Sequence, residues 1–257
     1  MGPMGGSVAA QDPNIVILGY GVTDSLQLTL ESQRVLTRVG KAYALHLPPN
    51  LRRYLATQRV NCVDLSGSLN GSRPLSEGYL DVADAILRRT AEERPVVVLT
   101  PGSPHFLNVV TRFLTAQARE RGLSVTAYPA VSQVDAIVSY LGLDVGANGL
   151  QLFDAGRLAA SRERLNPGIP LLLLSAVGVG AAGIAGLAAH LRAHYPGDHA
   201  VTLLNVGLRT RGRHVTVRLD DCESLGARIT PESAIFVDRL PAAGAIPPAV
   251  QAARKEV

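Results

Sequence analysis

Only two cysteines, Cys62 and Cys222, occur in the 257 residues. They lie far apart and match no Cys-x-x-Cys or Cys/His spacing, which excludes a disulfide framework and the common zinc modules. Free thiols in a reducing cytosol are the expectation. Lysine is almost as scarce: Lys41 and Lys255 are the whole complement, so nearly all of the positive charge is arginine. The formal net charge is only +4. No block of five or six like charges exists, the densest basic stretches being Arg52-Arg53 and residues 208–213, so a nucleic-acid partner is not expected. The first ten residues, MGPMGGSVAA, lack the charged and apolar regions of a secretory signal and read as a flexible tail. No Gly-x-Ser-x-Gly or His-Glu-x-x-His occurs, which leaves serine hydrolases and zincins without their motifs.

What is present is a globular chain. Hydrophobic residues make up 47% and charged residues 18%, enough to bury a core. The 25 Gly and 16 Pro are dispersed without a period, which excludes collagen-like and low-complexity architectures. Residues 169–189 carry no charge across 21 positions, long enough to cross a bilayer. Pro170 and four glycines from Gly178 to Gly186 break that span into a strand, a turn and a helix start, and no membrane partner is expected.

Strands are expected at 15–18, 41–45, 60–65, 96–99, 125–128, near 150–153, at 170–177, 200–206, 213–219 and 234–237. Helices are expected at 30–39, 51–57, 79–91, 108–122, 133–141 and in the segment ending near residue 195. The run Val96-Val97-Val98-Leu99 suits a strand buried on both faces. A loop rich in Ser and Gly is expected over 66–78. The succession implies an α/β protein, with a domain join near Tyr128: 13–127 as an N-terminal α/β domain, 128–244 as a C-terminal one, and tails at 1–12 and 245–257.

Three glycine-containing loops follow strands. Gly178-Val-Gly-Ala-Ala-Gly183 has the spacing of a dinucleotide loop, but Asp198, at the right distance for a ribose ligand, lies before the next strand rather than at its end. Gly19-Tyr20-Gly21-Val22-Thr23-Asp24 turns the chain after the first strand. Thr100-Pro101-Gly102-Ser103-Pro104 is a rigid loop at a strand's C-terminal end, where α/β proteins place ligands. Pro104 after Ser103 removes an amide that an oxyanion site would need. The six histidines form no ligand set; His190 and His194 have helical spacing and read as a solvated helix face, so no metal is expected.

In order, these stations resemble the tetrapyrrole methylase family. Gly19, Gly21, Asp24 and Leu28-Thr29-Leu30 resemble its opening, Val96 to Pro104 its strand and cofactor loop, and Tyr128-Pro129-Ala130-Val131-Ser132 its Pro-Gly-Val-Ser/Thr turn, with Ala130 at the usual glycine. Within it the likeness is to borosin-type peptide backbone N-methyltransferases, through Asn70-Gly71-Ser72-Arg73, Gly78-Tyr79 and residues 191–198. Thr100, at the end of the central strand, and Ser68-Leu69 stand where that group has tyrosines.

The resemblance implies two α/β domains with a cofactor cleft between them, S-adenosylmethionine as methyl donor and S-adenosylhomocysteine as product, and a homodimer. It implies that Thr100, Pro101, Gly102, Ser103 and Pro104 contact the cofactor's amino-acid end, Ser132, Ala176 and Val177 its ribose and adenine, and Asn205, Val206 and Gly207 the adenine side. Arg73 and Tyr79 would be the catalytic, acceptor-facing pair. The expected function is cytoplasmic, in-line methyl transfer to a peptide or small natural product. Two alternatives remain: a corrin or tetrapyrrole C-methyltransferase, and a cofactor-binding but inactive partner subunit, suggested by the missing phenols.

Overall fold

The computed structural model describes residues 12–22, 27–69, 75–161, 163–207 and 210–241. The chain divides into two compact units, Met1–Ala136 and Ile137–Val257.

The first unit is built on five parallel strands: β1 (Ile15–Gly19), β2 (Lys41–Ala44), β3 (Asn61–Asp64), β4 (Val96–Thr100) and β5 (Val125–Tyr128), in the order β3-β2-β4-β1-β5. All five residues of β1 and of β4 are buried, as expected of strands covered on both faces. Ile15 pairs with Val96 and Gly19 with Thr100, so the two strands end together. Ile15, Ile17, Val96 and Val98 pack with Val82, Ala83, Ile86 and Leu87 of α3 (Leu75–Arg89) and Val110, Leu114 and Ala118 of α4 (Val109–Glu120). Each such side chain contributes about 1.5–3 kcal/mol by leaving water.

Local chemistry starts the helices. Thr29 accepts the Ser32 N–H at 3.2 Å to cap α1 (Leu30–Leu36), and Pro48-Pro49 opens α2 (Pro49–Thr57). Asn108 caps α4 by accepting the Thr111 N–H at 3.0 Å. Gly122, at φ +68°, ends that helix. Two expectations needed correction here. The helix foreseen to residue 39 stops at Leu36. The loop foreseen over 66–78 contains a 3-10 helix, Ser66–Leu69, and the start of α3 at Leu75.

In the second unit, β6 (Gln151–Asp154), β7 (Leu171–Leu174), β8 (Ala200–Gly207), β9 (Thr210–Arg218) and β10 (Ser233–Val237) form a mixed sheet ordered β6-β7-β10-β8-β9. β10 runs antiparallel to both neighbours, so β7 and β8 point the same way. The strand expected over 170–177 stops at Leu174, because Ser175 turns left-handed at φ +56° and a 3-10 helix follows at Ala176–Gly178. α8 (Gly180–Arg192) then completes the βα unit; no helix among the described residues is long and apolar enough to cross a membrane. α5 (Gln133–Leu141) contains the division between the units. Two short helices went unforeseen, α6 (Val145–Asn148) and α7 (Ala155–Ala160), capped by Asp144 and Asp154 through the Ala147 and Arg157 N–H groups. So did the 3-10 helix Leu219–Arg228, which packs Leu219, Cys222 and Leu225 into the core.

Candidate active site

In the first unit the loops after β1 and β4 meet edge to edge. The Tyr20 N–H donates to the Thr100 carbonyl at 3.0 Å and the Gly102 N–H to the Gly21 carbonyl at 2.9 Å. Gly19 is where this contact leaves no room. A Cβ there would press into the Gly102 carbonyl oxygen and lie 2.5 Å from Ala130 Cβ and 2.8 Å from Pro104 Cδ. Gly102 is the opposite case: its φ is +64° and a Cβ would meet nothing within 4 Å. The backbone of the Thr100 to Pro104 loop is therefore clamped from behind and bare in front, which lets a ligand approach it closely.

The polar groups of the loop agree with that. Ser103 is 8% exposed, and its hydroxyl makes no hydrogen bond among the described residues. Thr100 Oγ1 accepts from Asn108 Nδ2 at 2.6 Å, which leaves its own proton to donate. His105 Nε2 donates to the Ala127 carbonyl at 3.0 Å, so this ring ties the loop to β5 and activates no nucleophile. Ser132 and Asp135 bond reciprocally at the start of α5: the Ser132 N–H and hydroxyl both donate to Asp135 Oδ2 at 2.7 Å, and Ser132 Oγ accepts the Asp135 N–H at 3.3 Å.

A cavity of about 160 Å³ opens beside the β4 loop, lined by Thr100, Pro101, Tyr79, Leu45, His46, Asn108 and the apolar Phe106, Leu107, Val109 and Val110. Tyr79, on α3, thus shares one cavity with two residues of the expected cofactor loop. Gly78 lets it do so by packing against the Ser68 carbonyl oxygen, where a Cβ would sit only 2.7 Å away. The Tyr79 hydroxyl has no hydrogen-bond partner among the described residues, and burial pushes its pKa up. It stays protonated at neutral pH and is available to donate a hydrogen bond. Arg73 lies outside the described residues, as do Asp24 and Asn70 to Ser72 of the family-like stretches.

In the second unit, the register Ser233 to Asn205 and Ile235 to Leu173 brings the C-terminal ends of β7 and β8 to one edge of the sheet, on either side of β10. Ala176 is buried and Val177 is 48% exposed at that edge. Asn205 Oδ1 accepts from Ser233 Oγ at 2.5 Å, and a bulge between Asn205 and Gly207 re-aims the end of β8 around Val206. Gly178 and Gly180 do straddle the turn into α8, but β8 ends at Gly207 with Asp198 ahead of it, so the dinucleotide arrangement is incomplete. His194 is not on a solvated face: it accepts the Leu165 N–H at 3.2 Å and donates to the His190 carbonyl at 3.2 Å. Among the described residues no three His, Cys, Asp or Glu side chains gather to hold a metal.

A model of the tetrapyrrole (corrin/porphyrin) methylases matches residues 14–222. The chain belongs to that family. Among its relatives is the methyltransferase/ribosomally synthesized cyclic peptide gymnopeptides precursor of Gymnopus fusipes, 26% identical over 71% of this chain and 43% of that protein. The corresponding dendrothelin A precursor of Dendrothele bispora is 25% identical over the same shares. This tetrapyrrole methylase chain thus spans less than half the length of those curated relatives. Its fold matches the uroporphyrin-III C-methyltransferase of Thermus thermophilus, a structure holding S-adenosylhomocysteine, with a TM-score of 0.66 at 18% identity over 88% of this chain and 97% of that one.

Sequence reasoning singled out Tyr79, Thr100 and Pro101 of the cavity wall and missed the other seven residues that line it. Asn108 was legible only as the start of a helix, and the left-handed backbones of His46 (φ +51°) and Leu107 (φ +48°) carry no sequence signal. Together with Ser175, three of the four left-handed non-glycine residues among the described residues sit in the loops that follow strands at these edges.

Proposed function

We propose that the chain is an S-adenosylmethionine-dependent methyltransferase acting on a peptide or small natural-product acceptor. The observation that carries this is the single cavity shared by Tyr79 and the Thr100-Pro101 loop. The loop fits the amino-acid end of the cofactor: it offers bare backbone at Gly102, an unpaired hydroxyl at Ser103 and a donor at Thr100. The cofactor would supply an electrophilic methyl group on sulfur. The protein's part is alignment, with Tyr79 donating to an acceptor oxygen next to the reacting atom. Ser132, and in the second unit Ala176, Val177, Asn205, Val206 and Gly207, are the proposed adenosine contacts. Arg73 is proposed to hold an acceptor oxygen.

The cavity favours a neutral acceptor over a macrocycle. Among the described residues its wall holds no carboxylate, lysine or arginine. A polycarboxylated tetrapyrrole would find no counter-charge among these described wall residues, which leaves Arg73 as the proposed partner of a single acceptor oxygen. The curated relatives, named as cyclic-peptide precursors, support the same choice. A homodimer is part of the proposal, as is a reducing cytoplasm, in which the unpaired thiols of Cys62 and Cys222 would persist.

A thermal-shift titration with S-adenosylmethionine and S-adenosylhomocysteine, with NAD and NADP as controls, tests it. Ligand at a hundred times its Kd adds about 2.7 kcal/mol to the native state. A shift with the adenosyl ligands and none with the nucleotides is expected. The reverse would overturn the reading, and adenosyl binding with no transfer to any peptide would leave an inactive partner subunit.

A further inference from the structure

His46 sits in the short turn between β2 and α2, one residue beyond Leu45, whose N–H donates to the Leu99 carbonyl at 3.0 Å and so ties the turn to β4. Its backbone is left-handed, a conformation that costs a side-chain-bearing residue about 1 kcal/mol or more and persists only where the surroundings enforce it. The surroundings do so from both sides. The fully buried Tyr20 hydroxyl is shared between the Leu45 and His46 carbonyls, at 3.0 and 2.9 Å. The His46 N–H donates to Ser66 Oγ at 2.6 Å, and the Ser66 hydroxyl donates in turn to Asp64 Oδ1 at 2.5 Å. The Ser66 N–H reaches the same carboxylate oxygen at 3.0 Å.

Every polar backbone group of His46 is thus engaged, while its imidazole makes no hydrogen bond among the described residues. The residue lines the cavity that holds Tyr79, Thr100 and Asn108. A turn needing only a left-handed residue would be served by glycine or asparagine, and nothing in the clamp uses the ring. We propose that His46 is an acceptor-binding residue, its imidazole hydrogen-bonding a neutral amide of the acceptor opposite the Tyr79 hydroxyl. The inference rests on the proposed methyltransferase reading for its site and adds a binding residue and a ligand chemistry to it.

The test uses the whole chain loaded with S-adenosylhomocysteine and a defined probe, N-acetyl-valyl-valine methylamide. Histidine-labelled protein is titrated by NMR, with the His46 ring assigned through the variants. The expected result is a saturable shift of the His46 ring signals. His46→Gly, which relieves the backbone strain and removes the ring, should weaken peptide binding about tenfold or more, the worth of one lost hydrogen bond with its partner left unpaired. His46→Asn, which tolerates the left-handed backbone and retains a donor and an acceptor, should stay within about threefold. Melting shifts with S-adenosylhomocysteine should be equal in all three proteins.

Unchanged peptide binding in His46→Gly would overturn the assignment, as would a wild-type protein whose His46 signals ignore the peptide. Failure of S-adenosylhomocysteine to shift melting would instead sink the methyltransferase reading, whatever the peptide does.

Discussion

Gly19 and Gly102 offer a paired perturbation whose outcomes the structure ranks against intuition. Gly102 lies in the proposed cofactor loop and has a positive φ, so alanine there meets the left-handed penalty of about 1–2 kcal/mol and no steric contact. Gly19 has no unusual backbone angle, yet its Cβ would collide with the Gly102 carbonyl, Ala130 and the Pro104 ring. The carbonyl and the ring cannot rotate away, so the loop after β4 must move. Overpacking of a well-filled site costs about 1–3 kcal/mol and sometimes more, and three simultaneous collisions put Gly19→Ala at about 3 kcal/mol or above. At about 2–4 °C per kcal/mol, Gly19→Ala should lower Tm by about 6–12 °C and Gly102→Ala by about 2–8 °C. Ligand binding separates them further. Gly102→Ala should lose most of its S-adenosylhomocysteine shift despite the smaller loss of Tm, because its new methyl group occupies the open face of the loop. Calorimetric melting of both variants, with and without ligand, is the assay. A Gly19→Ala protein as stable as Gly102→Ala, or a Gly102→Ala protein with an intact ligand shift, would refute the reasoning.

Three further outcomes are expected. Tyr79→Phe removes a hydroxyl with no protein partner, so Tm and the S-adenosylhomocysteine shift should hold while kcat/KM for a peptide acceptor falls about tenfold, the worth of one hydrogen bond; an unchanged rate would remove Tyr79 from the site. Glu93 accepts from Lys41 Nζ at 2.5 Å and Tyr43 Oη at 2.8 Å, and the Lys41 contact is the main reason its pKa is lowered. Its contribution is therefore present above the unfolded-state carboxylate pKa and lost as pH falls through the lower folded value, while that of Lys41, whose pKa is raised chiefly by Glu93, is lost as pH rises through its folded value. Urea unfolding should show Glu93→Gln less stable than wild type at pH 7, with the gap closing toward pH 3. Burial pushes the Cys62 thiol up to about 11, so a thiol-selective reagent at pH 7 should label it about a hundredfold more slowly than a free cysteine, and unfolding should abolish the protection.

Local chemistry made much of this protein legible from its residue order. β-branched runs of four or five residues mark strands buried on both faces, which is why Val96 to Leu99 and Ile15 to Leu18 stood out and why the α/β class followed. Glycines and prolines after those strands marked the loops, since few other residues permit such turns. The same logic found the Thr100 to Pro104 loop, and the family resemblance marked Tyr79, but neither carried information about distance. Only the parallel register of β1 with β4, and the docking of α3 on the same sheet, puts Tyr79, Thr100 and Pro101 on one cavity. The rest of that cavity was invisible in the sequence for a physical reason. His46 and Leu107 enter it through left-handed backbones that their residue types do not favour, and for His46 hydrogen bonds from Tyr20 and Ser66, distant in sequence, hold the conformation.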